Sequence, residues 1–563
     1  MKTFEKVIPI LKRNKLRIFV GLFLLIIIDL LQLYVPKIMQ KAIDSLNIPG
    51  ITPSFLIKPA LLIVAIAVSI ALIRFIWRIL LIGNAWITDR EIRQMYYEHL
   101  LLLSKNFFNK AKTGDLMAYA INDLNAVRML IGFGFVILVD IVVFAIGAII
   151  FMIKIDLKLT LLAIIPLPLL TLVIIVFGKK IHHRFRRVQK AFATLSGKVQ
   201  ESISGIRVVK AFVQEEAELE KVSRSAYEYV KENLSLVKIF GMFHPFLFLI
   251  ISLSMGMVLL FGGKFAMTNQ ISMGEFVAFF SYLGMFVWPA IAVGWFVNLY
   301  QRGTASLKRI NSIFEIEPEI VDENPDYSIK ELKGNIEVKN LSFRYPPRDK
   351  EQKEENPLIL NDISFSLEAG KTLAIVGKTG CGKTTIIDLI TRIYNPPKNH
   401  IFIDGYEIYQ IPLKTLRENI VTVPQEIFLF SDSIANNISL GKPDVDRKII
   451  EDIAGKAQIY DDIIDFENGF DTIIGERGVT LSGGQKQRLA IARALLTDPN
   501  ILILDDALSS VDTKTERQIL QHLAEIRKNK TTIIIAHRIS SIQHADKIIV
   551  IENGKVAESG NHS

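Results

Sequence analysis

Cysteine is almost missing from this sequence: Cys381 is the single one in 563 residues. That excludes an internal disulfide framework and any metal site built on several thiolates, and it suits a reducing cytoplasm. A cleavable leader is lacking too. The start, MKTFEKVIPILKRNKLRIFV, is basic and runs into a long apolar stretch without a small-residue cleavage site, so it reads as a retained first span. Charge is modest, at 22% of residues, whereas 50% are hydrophobic, which departs from a soluble enzyme and points to a membrane protein with a soluble part. The net charge of +9 does not point to nucleic acid, because Lys and Arg gather beside apolar segments, where they mark cytoplasmic loops and anionic lipid headgroups.

What is present begins with six apolar stretches of the roughly 20 residues that a bilayer demands, at 18–38, 59–81, 130–153, 159–177, 243–263 and 276–300. Connections after the second and fourth stretches are long and charged; the others are short. Basic residues crowd the N-terminus and the long loops, so these and the C-terminal half are expected in the cytoplasm. Within the loops, Leu116, Ala120, Leu124 and Val127, and then Phe185, Val188, Phe192, Leu195 and Val199, recur at helical spacing. The membrane helices therefore continue into the cytoplasm. Breaks at Lys112-Thr113-Gly114-Asp115 and Ser204-Gly205 predict a short transverse helix near each loop tip, placed to touch a cytoplasmic domain.

Asp29 in the first span and Asp140 in the third are costly in lipid and must face a neighbouring helix or a watery cavity. Arg74 and Arg78 of the second span are candidate partners. An interhelical ion pair and a contact to substrate or proton are both open readings. Pro166, Pro168 and Pro289 predict local unwinding or kinks.

Hydrophobicity falls after Tyr300, and the acidic run EIEPEIVDENPD reads as a link between domains. The expected division is a membrane domain over 1–310, a linker over 311–331 and a nucleotide-binding domain over 332–563. The strand-like TLAIV leads into Gly377-Lys378-Thr379-Gly380-Cys381-Gly382-Lys383-Thr384, then Thr385 and a helical IIDLITRIY. That is a phosphate-binding loop in its required context: glycines let backbone N–H groups close around phosphates, Lys383 supplies charge, and the Thr384 hydroxyl ligates Mg2+. The buried-type strand ILILDD ends in carboxylates, with Asp505 the expected Mg2+ partner. A second such strand, TTIIIAH, ends in His537, which can bond a γ-phosphate or its attacking water.

Ahead of ILILDD stands Leu481-Ser482-Gly483-Gly484-Gln485, and with it the chain resembles the ATP-binding cassette (ABC) transporters over nearly its whole length. The resemblance implies an all-α six-helix membrane domain followed by an α/β P-loop cassette. It implies that Tyr345 stacks on adenine, that Gln425 links the Mg2+ site to the membrane domain, and that Ser509-Ser510-Val511-Asp512 communicates across two cassettes. Ser482 and Gly484, at a helix N-terminus, would offer donors to the γ-phosphate held on a second cassette, so the working unit is a dimer. Gly475 to Gly478, GERG, resembles the exporter segment that contacts the cytoplasmic loops. PPRDKEQKEENP, after Tyr345, reads as a solvated insertion. Family members continue with a helix beyond ESGNHS, so a further segment is expected.

Active cassettes carry Glu after the Mg2+-binding Asp; this chain has Asp506. One methylene shorter, that carboxylate retreats by roughly an ångström from its water, and a general base is worth about 10² to 10⁴ in rate. An intact signature beside a weakened base resembles the degenerate subunit of heterodimeric bacterial multidrug exporters. The expectation is ATP-driven export of a small amphipathic molecule across the plasma membrane by alternating access, with a partner half-transporter bearing Glu. The alternatives are a lipid or lipid-linked precursor flippase working as a homodimer, and an ATP-gated channel or membrane-tethered regulatory ATPase.

Overall fold

The computed structural model describes residues 4–46, 53–347, 356–475 and 481–562. The chain divides into two compact units, one of residues 1–98 and 116–315, the other of residues 99–115 and 316–563. GERG beyond Gly475 and most of the charged insertion lie outside the described residues.

The helices long and apolar enough to cross a membrane, Lys15–Ser45, Ser54–Leu102, Thr113–Ile155, Leu157–Ser204, Glu215–Met267 and Met273–Phe314, belong to the first unit apart from residues 99–102 and 113–115. The fifth, at 53 residues, is about 80 Å long at about 1.5 Å per residue, against a hydrocarbon core of about 30 Å. The apolar stretches are thus the middles of longer rods, and the periodic residues of the loops are their continuation. Leu116, Leu124 and Val127 are buried there.

Proline acts as expected at one place and differently at others. The fourth span stops at Ile164 and restarts at Leu167, around Pro166. Pro168 falls in the first turn of the restarted helix, where a missing N–H costs nothing. Pro289 likewise lies near the start of Val287–Phe314, just past a break at Phe286. The fourth and fifth rods pair antiparallel, through the Phe177 and Phe243 rings, through Phe192 with Tyr229, and through Lys198, which donates to Ser225 Oγ at 2.8 Å. Tyr282 of the sixth span donates to the Leu33 carbonyl of the first at 3.0 Å and stacks on Phe151 of the third. A buried hydroxyl in lipid needs such a partner.

Each long loop does carry a short helix: Lys105–Lys110 at the first tip and Ile206–Ala211 at the second. The first break is narrower than expected. Thr113, Gly114 and Asp115 already belong to the next helix, Thr113–Ala118, where Asp115 in the first turn suits the helix dipole; the chain is extended at Ala111.

The second unit is built on two sheets. Strands β1 (Ile336–Phe343), β2 (Leu360–Leu367), β4 (Ile401–Ile403) and β5 (Tyr406–Glu407) form an antiparallel sheet in the order β2-β1-β4-β5. Strands β3 (Thr372–Gly377), β6 (Ile420–Val423), β7 (Ile501–Asp505), β8 (Thr531–Ile535), β9 (Lys547–Glu552) and β10 (Lys555–Gly560) form the other, ordered β10-β9-β3-β8-β7-β6. It is parallel except for β10. Both β7 and β8 are buried at every residue, as strands covered on both faces must be, which explains their unbroken apolar runs. The acidic stretch after Phe314 is laid along this unit: Asn395 donates to the Glu319 carbonyl at 2.7 Å, Lys398 pairs with Glu323 at 2.8 Å, and the Leu413 N–H donates to Asp322 at 3.0 Å.

Candidate functional site

Four adjacent parallel strands, β3, β8, β7 and β6, point the same way, so the segments that leave their carboxyl ends share one edge of the sheet. Those segments are the phosphate-binding loop, His537, the Asp505-Asp506 pair and Gln425. Ligands of open α/β sheets bind at such an edge.

The loop after β3 turns through Gly380 and Gly382, both with positive φ. Gly382 caps the helix Lys383–Ile390, and a Cβ on it would stand 2.6 Å from Leu360. Gly380 faces open space, which leaves its backbone approachable. The Lys383 ammonium is buried and donates to the carbonyls of Gly377 at 2.8 Å and Lys378 at 3.0 Å, with Cys381 Sγ 3.9 Å away. Thr379 and Lys378 lie on the loop, and the Lys378 ammonium is exposed beside Glu552 at 3.8 Å. Thr384 Oγ1 donates to Asp505 Oδ2 at 2.9 Å, which joins β3's helix to β7 across the intervening β8. Burial pushes the Asp505 carboxyl above its ordinary range, and the charges of Asp388 and Asp506 add to this while the Thr384 bond opposes it. A hydroxyl and a carboxylate held together beside an ammonium and a helix N-terminus fit a Mg2+ and nucleoside triphosphate site by their donor chemistry.

Tyr345 lies beside this helix. Its hydroxyl is 2.9 Å from Thr385 Oγ1, and its ring meets Phe343 and Tyr394 edge-on. Asp506 and His537 line one small cavity of about 100 Å³. Asp506 adopts a left-handed backbone, φ 50°, a conformation Asp tolerates better than most residues. Its N–H donates to Ile535 at 2.9 Å and its carbonyl accepts from Ser509 Oγ at 3.0 Å. Gln425 stands exposed, two residues beyond β6.

Ser482 caps the helix Gly483–Thr497 with Gln485 in a reciprocal capping box, and Gln485 also donates to Asp462 at 2.9 Å. Leu481 is buried, which anchors the entry to that helix. A Cβ on Gly484 would stand 2.9 Å from the Ser510 carbonyl and one on Gly483 3.3 Å from the Ser510 side chain, so the two motifs touch through glycine. Asp512 caps the helix Thr513–Ile526 through the N–H groups of Lys514 and Thr515, which holds its carboxyl below the usual range.

Sequence reasoning missed the residues that hold these loops. Gln487, buried in the signature helix, donates to Ser509 Oγ at 2.9 Å and accepts from the Ser510 N–H at 2.8 Å. Arg538 donates to the carbonyls of Ser509 and Val511 and to buried Glu516. At the first loop tip, Lys105 pairs with Asp388 at 3.0 Å and Asn109 donates to the Tyr394 hydroxyl at 2.8 Å. Burial pushes that phenol up to about 12, so it stays protonated. The one sequence signal was the expectation that this tip touches the cytoplasmic domain.

In the membrane unit, Asp29, Asp140, Arg74 and Arg78 line a single cavity of about 410 Å³. Among the described residues no salt bridge joins these carboxylates to the arginines.

A phosphate-binding loop and a carboxylate pair at one sheet edge, on a chain with six helices of membrane-spanning length among the described residues, point to an ATP-driven membrane protein. The chain belongs to the ABC transporter family: the ABC transporter transmembrane region matches residues 18–290 and the ABC transporter domain residues 360–509. It is similar to the probable multidrug resistance ABC transporter ATP-binding/permease protein YheI of Bacillus subtilis (strain 168), at 39% identity over 97% of this chain and 92% of that protein. It is also similar to the ATP-dependent lipid A-core flippase of Syntrophus aciditrophicus (strain SB), at 34% identity over 85% of this chain and 78% of that one. The solved structure of a bacterial Atm1-family ABC exporter with ATP bound superposes with a TM-score of 0.78, at 26% identity, covering 98% of this chain and 96% of that chain. The chain is an ABC exporter half, multi-pass in the membrane, with its ATP-binding domain on the cytoplasmic side and ATP hydrolysis coupled to transport.

Proposed function

We propose that this exporter half moves small amphipathic molecules out of the cytoplasm or inner leaflet as part of a heterodimer, in which its own P-loop site holds ATP and turns it over slowly. The observation that carries this reading is Asp506. It stands where the family has Glu, on a backbone held by bonds to Ile535 and Ser509, so the main chain stays in place and the side chain alone must make up the missing methylene. The binding groups are intact. Lys383 and the loop N–H groups hold the phosphates, Tyr345 packs at the adenine end, and His537 positions the γ-phosphate or its water. Thr384, Asp505 and Gln425 are the residues to hold Mg2+, which when bound neutralises phosphate charge. Ser482 and Gly484 face the site of a second half-transporter and complete it.

The exposed second tip supports dependence on another chain. Its helix Ile206–Ala211 buries no residue, and Val208, Phe212 and Val213 stand open. Apolar side chains at a cytoplasmic tip seek cover, and a partner's cassette is the surface that alternating access requires them to push.

The test is ATP hydrolysis by the purified chain alone, with a Glu-bearing partner, and as Asp506→Glu. The lone chain should be nearly inactive, the pair active, and the substitution should raise the lone chain's rate within the roughly 10² to 10⁴ that a general base supplies. Brisk turnover by the lone chain, unchanged in Asp506→Glu, would establish a homodimer with Asp506 as an adequate base. That outcome would favour the second reading, a lipid flippase, which the flippase relative supports.

A further inference from the structure

The cavity of the membrane unit has a distinct chemistry. Asp29, on its wall, is only 2% exposed, and its Oδ2 has no hydrogen-bond partner; one Asp140 oxygen and the Trp77 indole nitrogen are equally unpartnered. Burying a carboxylate oxygen without a donor is costly, more so within a membrane span. Arg74 and Arg78, also on its wall, place positive charge nearby but give that oxygen no hydrogen bond. Both are exposed, neither forms a salt bridge with either aspartate, and the Arg78 guanidinium lies 5.9 Å from the Trp77 ring centre. Trp288 and Trp295, from the sixth span, add two indole faces. At about 410 Å³ the cavity lies in the range of drug-sized sites.

We propose that this cavity is a substrate site for organic amine cations that carry an N–H on a flat aromatic body, with Asp29 as the residue that selects them. Each part of the ligand answers to a group on the wall. The N–H meets the unpartnered Asp29 oxygen, the positive charge lies near two carboxylates, and the aromatic body stacks among indoles, whose faces attract cations. An anion meets the carboxylates, a neutral molecule leaves Asp29 unpaired, and a quaternary ammonium brings charge but no donor. The guanidiniums repel every cation, so the bond to Asp29 and the stacking on the indoles must outweigh that repulsion.

The substrate role rests on the exporter reading above, while the binding preference does not. The probes are quinacrine, an acridine with a protonated dialkylamine, its N-methylated quaternary analogue, and neutral Nile red. Binding to the purified full-length chain without ATP is followed by fluorescence anisotropy. Quinacrine should bind about tenfold or more tightly than its quaternary analogue, the size of a hydrogen bond to a charged group, and Asp29→Asn should reduce that ratio to about threefold or less. Asp140→Asn should weaken both cations and leave Nile red unchanged. Equal affinity of wild type for the protonated and quaternary probes would overturn the proposal, as would an undiminished ratio in Asp29→Asn. If Asp29→Asn fails to elute as a folded protein, the wild-type ratio and Asp140→Asn decide. ATP-driven quinacrine uptake by inside-out vesicles that carry the chain together with its Glu-bearing partner separates the two readings: its absence with the binding ratio intact counts against export alone, and its presence without the ratio counts against the cation site alone.

Discussion

The two loop tips are helices of six residues each, and they could hardly be more different. Around Lys105–Lys110, Ser104 and Asn106 both donate to Glu319, at 2.7 and 2.9 Å, Lys105 pairs with Asp388 and Asn109 bonds Tyr394. Every polar side chain in that set finds its partner in the same compact unit. The Ile206–Ala211 tip has instead an apolar surface, with Phe212 71% and Val213 80% exposed. The first tip is satisfied within its own chain; the second leaves apolar groups uncovered, which on the reading proposed above a partner would cover.

The largest effect that would break this contrast is expected at the second tip. Placing charge there, in a Val208→Asp, Phe212→Asp double variant, should lower vesicle transport by more than about tenfold, since covering one large apolar side chain is worth about 1.5 to 3 kcal/mol. Transport within twofold of wild type would show that this tip needs no cover. The next effect is at the first tip, where Lys105→Ala leaves the buried Asp388 carboxylate without its cation. After allowance for the exposed Lys105 end, about 1 kcal/mol should be lost, seen as a fall of about 2 to 4 °C in the cassette's thermal midpoint. An unchanged midpoint would mean that the pair contributes nothing. The smallest change is Asn109→Ala, the loss of one hydrogen bond, which should speed amide exchange across residues 105–110 by up to about fivefold while exchange across 206–211 stays the same. Equal acceleration at both tips would erase the distinction.

How much of this was legible in the sequence follows from how the information is stored. The phosphate-binding loop, ILILDD and the signature are contiguous, because each is one strand end or one helix start, and their chemistry reads off directly. The transverse helices were legible from small and turn-forming residues, although Gly114 proved helical because its neighbours set the backbone. The bonds that lock the site were not legible. Lys105 and Asp388 are 283 positions apart, and Arg538 reaches back 29 positions to Ser509. Such pairs exist only once the strand order has brought distant segments together, and nothing in the local spelling marks an arginine as a brace. The cavity stands between these cases. Asp29 and Asp140 announced themselves by their cost in lipid, and Arg74 and Arg78 were named beside them, but only the helix arrangement shows that the four share a wall without pairing.

The common edge at which the four strand ends meet has an evolutionary consequence. Strands β3, β6, β7 and β8 draw their stability from side chains packed between sheet and helices, whereas the reactive groups stand at their carboxyl ends or just beyond them. A change such as Glu to Asp at position 506 therefore passes almost unnoticed by folding. After duplication of a half-transporter gene, one copy can drift toward retention of nucleotide and the other toward its cleavage, with no selection for solubility or assembly standing in the way.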